Sequence, residues 1–147
     1  MARQNSPSAL SGPMNGYMEN RRTYKALILD DDLTVQALLA RFLASRHWEC
    51  VLVDNGRAAL GLFRPGEFDL VLADVDLGSG LDGITTVMHL LAFDRDLYAV
   101  LMSGDPRNLD EAEEIGLSTI DKPFDLCDIG VLLLRAEVRR RRMRNPL

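Results

Sequence analysis

Three consecutive carboxylates, Asp30, Asp31 and Asp32, follow the apolar run Leu27–Leu29 without a break. Adjacent like charges repel, and each loses free energy on leaving water, so such a cluster is solvated, holds a cation, or shifts its pKa values. Further along, Asp74 follows the run Leu70–Ala73, Ser103 follows Ala99–Met102, and Lys122 stands two residues after Leu117–Ile120. Carboxylates and backbone carbonyls suit a hard, oxygen-seeking cation such as Mg²⁺. A cation there would offset the repulsion and bridge to a phosphoryl group. Asp74 then has the chemistry of a nucleophile that forms an aspartyl phosphate. Lys122 has that of a compact point charge for phosphoryl oxygens, and Ser103 that of a hydrogen-bond donor to one of them. The lysine stands out because arginine supplies nearly all the basic residues; Lys25 and Lys122 are the chain's two lysines.

These residues converge only if the chain folds so that several strand ends meet. The apolar pattern gives strands over Lys25–Leu29, Cys50–Val53, Leu70–Ala73, Ala99–Met102 and Leu117–Ile120. Between and after them, helical spacing predicts helices. One carries Val35, Leu38, Leu39, Phe42 and Leu43; others cover Ala58–Phe63, Ile84–Leu91 and Leu109–Ile115; the last is striped by Leu126, Ile129, Leu132, Leu133 and Ala136. Asp32 or Thr34 caps the first helix, and Asn55-Gly56 reads as a turn. Five strand–helix units in strict alternation predict an α/β fold, a parallel sheet with helices on both faces. Right-handed crossovers restrict it to a doubly wound sheet, which binds ligands beyond the carboxyl ends of its strands.

Composition narrows the function. The chain has 147 residues, enough for one domain, with 47% hydrophobic residues and a net charge of −5. That balance is wrong for a nucleic-acid binder. Cys50 and Cys127 stand alone, so a disulfide scaffold or a zinc site is not expected. No apolar run reaches the length of a membrane span and no signal peptide is visible, which predicts a cytoplasmic protein. Residues 1–22 read as a disordered N-terminal tail, 23–138 as the folded domain, and 139–147, with Arg139–Arg142 and Arg144, as a basic C-terminal tail. Arginines near a helix end favour the macrodipole and solubility, so the run is poor support for nucleic-acid or membrane binding.

The segments Leu27–Asp32, Phe68–Asp74, Asp82-Gly83, Val100–Gly104 and Asp121–Phe124, in that order, resemble the receiver domain of bacterial two-component response regulators from about Tyr24 to Arg139. The resemblance implies a flavodoxin-like five-stranded sheet in the order 2-1-3-4-5. It implies Asp74 as phosphoacceptor, and Asp30 and Asp31 as the acidic pair holding Mg²⁺ with Asp74 and the main-chain carbonyl of Asp76. Ser103 becomes the switch hydroxyl, and Lys122 the site lysine, before a proline whose preceding bond is often cis. The donor would be a histidine kinase or a histidine phosphotransfer protein. No output domain is expected after the last helix, so output would pass through a downstream protein, a phosphorelay or a homodimer. Such a protein is a signalling switch and not a turnover enzyme. Departures are expected to matter: Thr119 occupies a position that is often aromatic, the stretch from Ser103 to Lys122 is short, and Gly78-Ser79-Gly80 is glycine-rich.

A rival fits the same opening stretch. Asp30, Asp32 and Thr34 form D-x-D-x-T after a strand, which resembles the first motif of haloacid-dehalogenase-type phosphatases, with Asp30 as nucleophile and Asp32 as general acid/base. It lacks a further acidic motif after the lysine and gives Asp74 no role. A pseudo-receiver that only binds a partner is the third reading, and the full set of site residues opposes it.

Overall fold

In the computed structural model, which describes residues 23–78 and 80–144, five strands alternate with five helices. They are β1 (Lys25–Leu29), α1 (Leu33–Ser45), β2 (Glu49–Val53), α2 (Gly56–Leu62), β3 (Leu70–Asp74), α3 (Gly83–Phe93), β4 (Tyr98–Ser103), α4 (Pro106–Glu114), β5 (Ser118–Asp121) and α5 (Leu126–Arg144). All strand pairs are parallel, in the order β2-β1-β3-β4-β5. This is the doubly wound sheet that the sequence pattern and the resemblance predict.

The two-residue strand period divides the core into two layers. Leu27, Leu29, Val71, Ala73, Ala99 and Leu101 face the layer that takes Ala59 of α2, Val87 and Leu90 of α3 and Ala112 of α4. Ala26, Ile28, Leu70, Leu72, Val100 and Met102 face Leu39 and Leu43 of α1 and Ile129, Leu133 and Ala136 of α5. Every residue of the central strand β3 is buried, so its run LVLAD shows no alternation. The register aligns Leu29 with Val53 and Ala73, Asp74 with Met102, and Ser103 with Asp121. The carboxyl ends therefore share one edge.

Several details differ from the sequence reading, the first two for a capping reason. Asn55 is the N-cap of α2, its side-chain oxygen accepting from the Ala58 N–H at 2.7 Å, so Gly56 opens the helix and is not a turn residue. α4 starts three residues earlier than expected, because Asp105 caps it and Pro106 occupies its first turn. Leu38, expected in the apolar stripe of α1, is exposed, and Gln36 takes the buried place. The arginines of 139–144, read as a tail, form the last turns of α5. They fold back on the domain: Arg140 pairs with the buried Asp69, and Arg139 donates to the Asp96 carbonyl and lies over the Tyr98 ring. The expected N-terminal tail lies outside the described residues.

Candidate functional site

The site is built from strand ends. Asp30 follows β1 and is fully buried; one carboxylate oxygen accepts the Asp32 N–H at 2.9 Å and the other accepts from Lys122 Nζ at 2.7 Å. Its main-chain carbonyl accepts from Gln36 Nε2 at 2.7 Å, and the same amide nitrogen donates to the Val53 carbonyl at 2.9 Å. Gln36 thus straps the ends of β1 and β2 together. It was missed in the sequence, although a polar residue three and seven positions before Leu39 and Leu43, on their helical face, is a legible signal. Asp31 is exposed. Asp32 does what a cap does, accepting from the Thr34 and Val35 N–H groups. Both bonds go to one carboxylate oxygen, which gives Asp32 a structural role without any catalytic one.

Asp74 ends β3 with 6% of its surface exposed, and Lys122 Nζ stands 3.5 Å from its carboxylate. The pKa of Asp74 is pushed up to about 6. Burial is the main cause. The Lys122 charge opposes it, the Asp30 charge adds to it, and the Asp76 backbone N–H, which donates to the carboxylate, lowers it again. For Lys122, burial works against the ammonium, but the hydrogen bond and charge of Asp30, and then Asp74, leave its pKa raised. The Lys122–Pro123 peptide is cis, as the resemblance implied. Gly83 opens α3 directly over the Asp74 backbone: a Cβ there would lie 2.0 Å from the Asp74 carbonyl oxygen. Only glycine lets helix and strand approach so closely, and its N–H donates to the Val75 carbonyl at 3.0 Å.

One carboxylate oxygen from each of Asp30, Asp31 and Asp74 lies within 4.8 Å of the others. Three carboxylates against one lysine leave a formal charge of −2, and the donor set is all oxygen. These residues fit a divalent, oxygen-seeking cation such as Mg²⁺.

Ser103, at the end of β4, is buried, and its hydroxyl oxygen accepts from the Asp105 N–H at 3.0 Å and from Asn108 Nδ2 at 3.2 Å. Asn108 also reaches both carboxylate oxygens of the exposed Asp76 at 3.2 Å. Nothing in the sequence singled out Asn108, since a lone asparagine in an acidic helix carries no pattern. Asp121 is exposed, and His47 and His89 are exposed and outside this cluster.

The profile of the response regulator receiver domain family matches residues 26–133, and the chain belongs to that family. It is 28% identical over 113 residues to the transcriptional regulatory protein ZraR of Escherichia coli, covering 75% of this chain and 25% of that protein. It is 31% identical over 85 residues to the two-component response regulator ORR21 of rice, covering 56% of this chain and 12% of that protein. The chain therefore spans about a quarter or less of the length of these two relatives. Among solved structures, a CheY-like receiver domain protein of Methanospirillum hungatei superposes with a TM-score of 0.73 at 17% identity, over 82% of this chain and 98% of the other. The signal receiver domain of an HD domain-containing protein of Pseudomonas fluorescens gives 0.73 at 22%, over 85% and 95%. At these identities the structural likeness concerns the fold. Members of this family are signalling switches that work with histidine kinases and downstream effectors. Among the described residues, no helix is long and apolar enough to cross a membrane.

Proposed function

We propose that residues 23–138 form a phosphorylatable receiver that accepts a phosphoryl group on Asp74 from the phosphohistidine of a histidine kinase or histidine phosphotransfer protein. The observation that carries this reading is the convergence of Asp74 with Asp30, Asp31 and Lys122 at one sheet edge. A pKa of about 6 leaves Asp74 ionised at neutral pH and more basic than an exposed aspartate, which suits a nucleophile. An Asp74 carboxylate oxygen attacks phosphorus; the O–P bond forms as the P–N bond breaks. The electron pair stays on the departing imidazole nitrogen, and the ring, protonated on its other nitrogen, leaves neutral. Lys122 holds its ammonium beside the nucleophile to meet phosphoryl oxygens, and Ser103 turns its O–H to one of them.

Mg²⁺ would be held by Asp30, Asp31 and Asp74 with the main-chain carbonyl of Asp76, and bound there it supplies charge neutralisation for the phosphoryl oxygens. Phosphorylation shifts a two-state equilibrium, read by a downstream protein or by a second copy of the chain. Its role is that of a switch in the cytoplasm, not of a turnover enzyme.

Beryllofluoride binding with Mg²⁺, followed by NMR on the wild type, Asp74→Asn and Asp30→Asn, tests the assignment. Loss in Asp74→Asn, with weaker binding in Asp30→Asn restored by more Mg²⁺, is expected. Binding that survives Asp74→Asn and disappears in Asp30→Asn would move the nucleophile to Asp30 and overturn it.

A further inference from the structure

α4 is lightly held. Its described buried residues are Leu109 and Ala112, whereas α3 buries Gly83, Ile84, Thr86, Val87 and Leu90. An element with so few buried apolar side chains opens or shifts at low free energy. Side-chain hydrogen bonds tie it at both ends. Near its C-terminus Glu113 accepts from the Thr119 hydroxyl of β5 at 2.6 Å. Near its N-terminus the Asp105 N–H donates to the Ser103 hydroxyl oxygen, and Asn108, whose amide nitrogen has two protons, reaches two kinds of acceptor, that same oxygen and the Asp76 carboxylate. Both acceptors belong to segments that flank Asp74. Asp76 lies two residues beyond it, and Ser103 follows Met102, its register partner on β4.

We propose that Asn108 is the positioning residue that couples the phosphorylation site to α4, holding the helix against Ser103 and Asp76 until a phosphoryl group on Asp74 draws both acceptors away. This inference rests on the receiver assignment above. A phosphoryl group brings between one and two negative charges and three strong acceptor oxygens. It attracts the Ser103 hydroxyl and repels the Asp76 carboxylate, so the two acceptors of Asn108 move for independent reasons. With the Asn108 tie gone, the side-chain hold on α4 falls to its two buried side chains, the Asp105 N–H on the Ser103 hydroxyl oxygen, which moves with Ser103, and the Glu113–Thr119 bond. The displacement then reaches β5 through that bond.

Breaking the hold takes free energy from ligand binding, so removing it in advance should tighten binding. In the full chain with beryllofluoride and Mg²⁺, Asn108→Ala and the near-isosteric Asn108→Leu are expected to bind about 2- to 10-fold tighter than wild type, the range of one net hydrogen bond, since the contact with the Asp76 carboxylate is exposed to water. Their Leu109, Glu113 and Thr119 amide resonances should already lie near the ligand-bound positions before any ligand is added. Asn108→Gln keeps the donors and should restore much of the wild-type behaviour. A residue that only supports the helix would give weaker binding on removal, with no movement of the ligand-free resonances towards the bound positions. Binding no tighter in both variants, with wild-type shifts in α4 and β5, overturns the proposal. Absence of binding to the wild type is a separate outcome that removes the receiver assignment itself, and this inference with it.

Discussion

Replacing Asp74 by asparagine is expected to stabilise the metal-free fold, and to do so more at neutral pH than in acid. The buried carboxyl has its pKa raised from 3.8 to about 6. Between these values the native state binds more protons than the unfolded chain, so stability falls as pH rises through the interval. At and above neutral pH the ionised group therefore destabilises the fold by up to about 3 kcal/mol, because a shift of one unit corresponds to about 1.4 kcal/mol. About 2 kcal/mol of this develops between pH 4 and pH 7. Asparagine keeps the shape, still accepts from the Asp76 N–H and from Lys122, and carries no charge to repel Asp30. Urea unfolding in a chelator, read by Trp48, measures the difference. Trp48 is the single tryptophan, it is buried, and its indole N–H donates to Glu137 at 2.9 Å. The variant should exceed the wild type at pH 7, with the gap closing towards pH 4. Added Mg²⁺ should then raise the wild type more than the variant. A variant less stable than wild type at pH 7, or a gap independent of pH, would refute the reasoning that burial dominates the electrostatics of Asp74.

Other perturbations separate the structural ties from the chemistry. Lys122→Met leaves the fully buried Asp30 without its cation and should cost about 3 kcal/mol in metal-free unfolding, partly recovered by Mg²⁺. An unchanged urea midpoint would show that Asp30 is otherwise compensated. Gly83→Ala drives a Cβ into the Asp74 carbonyl and should destabilise by about 1–3 kcal/mol, with the Asp74 and Val75 amides displaced in NMR spectra. Arg140→Ala removes an ion-pair partner of the buried Asp69, which accepts a hydrogen bond from the Lys25 N–H at 2.9 Å as well. A loss of about 2 kcal/mol is expected, and no loss would return the arginines to the role of a solvated tail.

The sheet and most of the site were legible because both depend on patterns that survive in one dimension. Apolar runs ending in Asp30, Asp74 and Ser103 mark strand ends, and parallel topology brings those ends to one edge. What escaped was polar chemistry without periodicity. Gln36 was passed over because it is polar, although it shares the helical face of Leu39 and Leu43 and its buried amide is satisfied by two carbonyls. Asn108 reaches Asp76 across 32 residues of sequence, and no local rule links them. The α4 start was misplaced because the apolar pattern begins at Leu109, whereas the polar Asp105 caps the helix at the Arg107 N–H. The arginine run shows the limit of charge counting: Arg139 and Arg140 are fastened to the domain by Asp96, Tyr98 and Asp69, groups remote in sequence.

The most direct test of the central claim is the intact mass of the protein after incubation with phosphoramidate, a small phosphoryl donor with a P–N bond, with and without Mg²⁺, for the wild type and Asp74→Asn. The account predicts a gain of one phosphoryl group in the wild type, only with Mg²⁺, and none in the variant. A gain that persists in Asp74→Asn, or none in the wild type at saturating Mg²⁺, would contradict it.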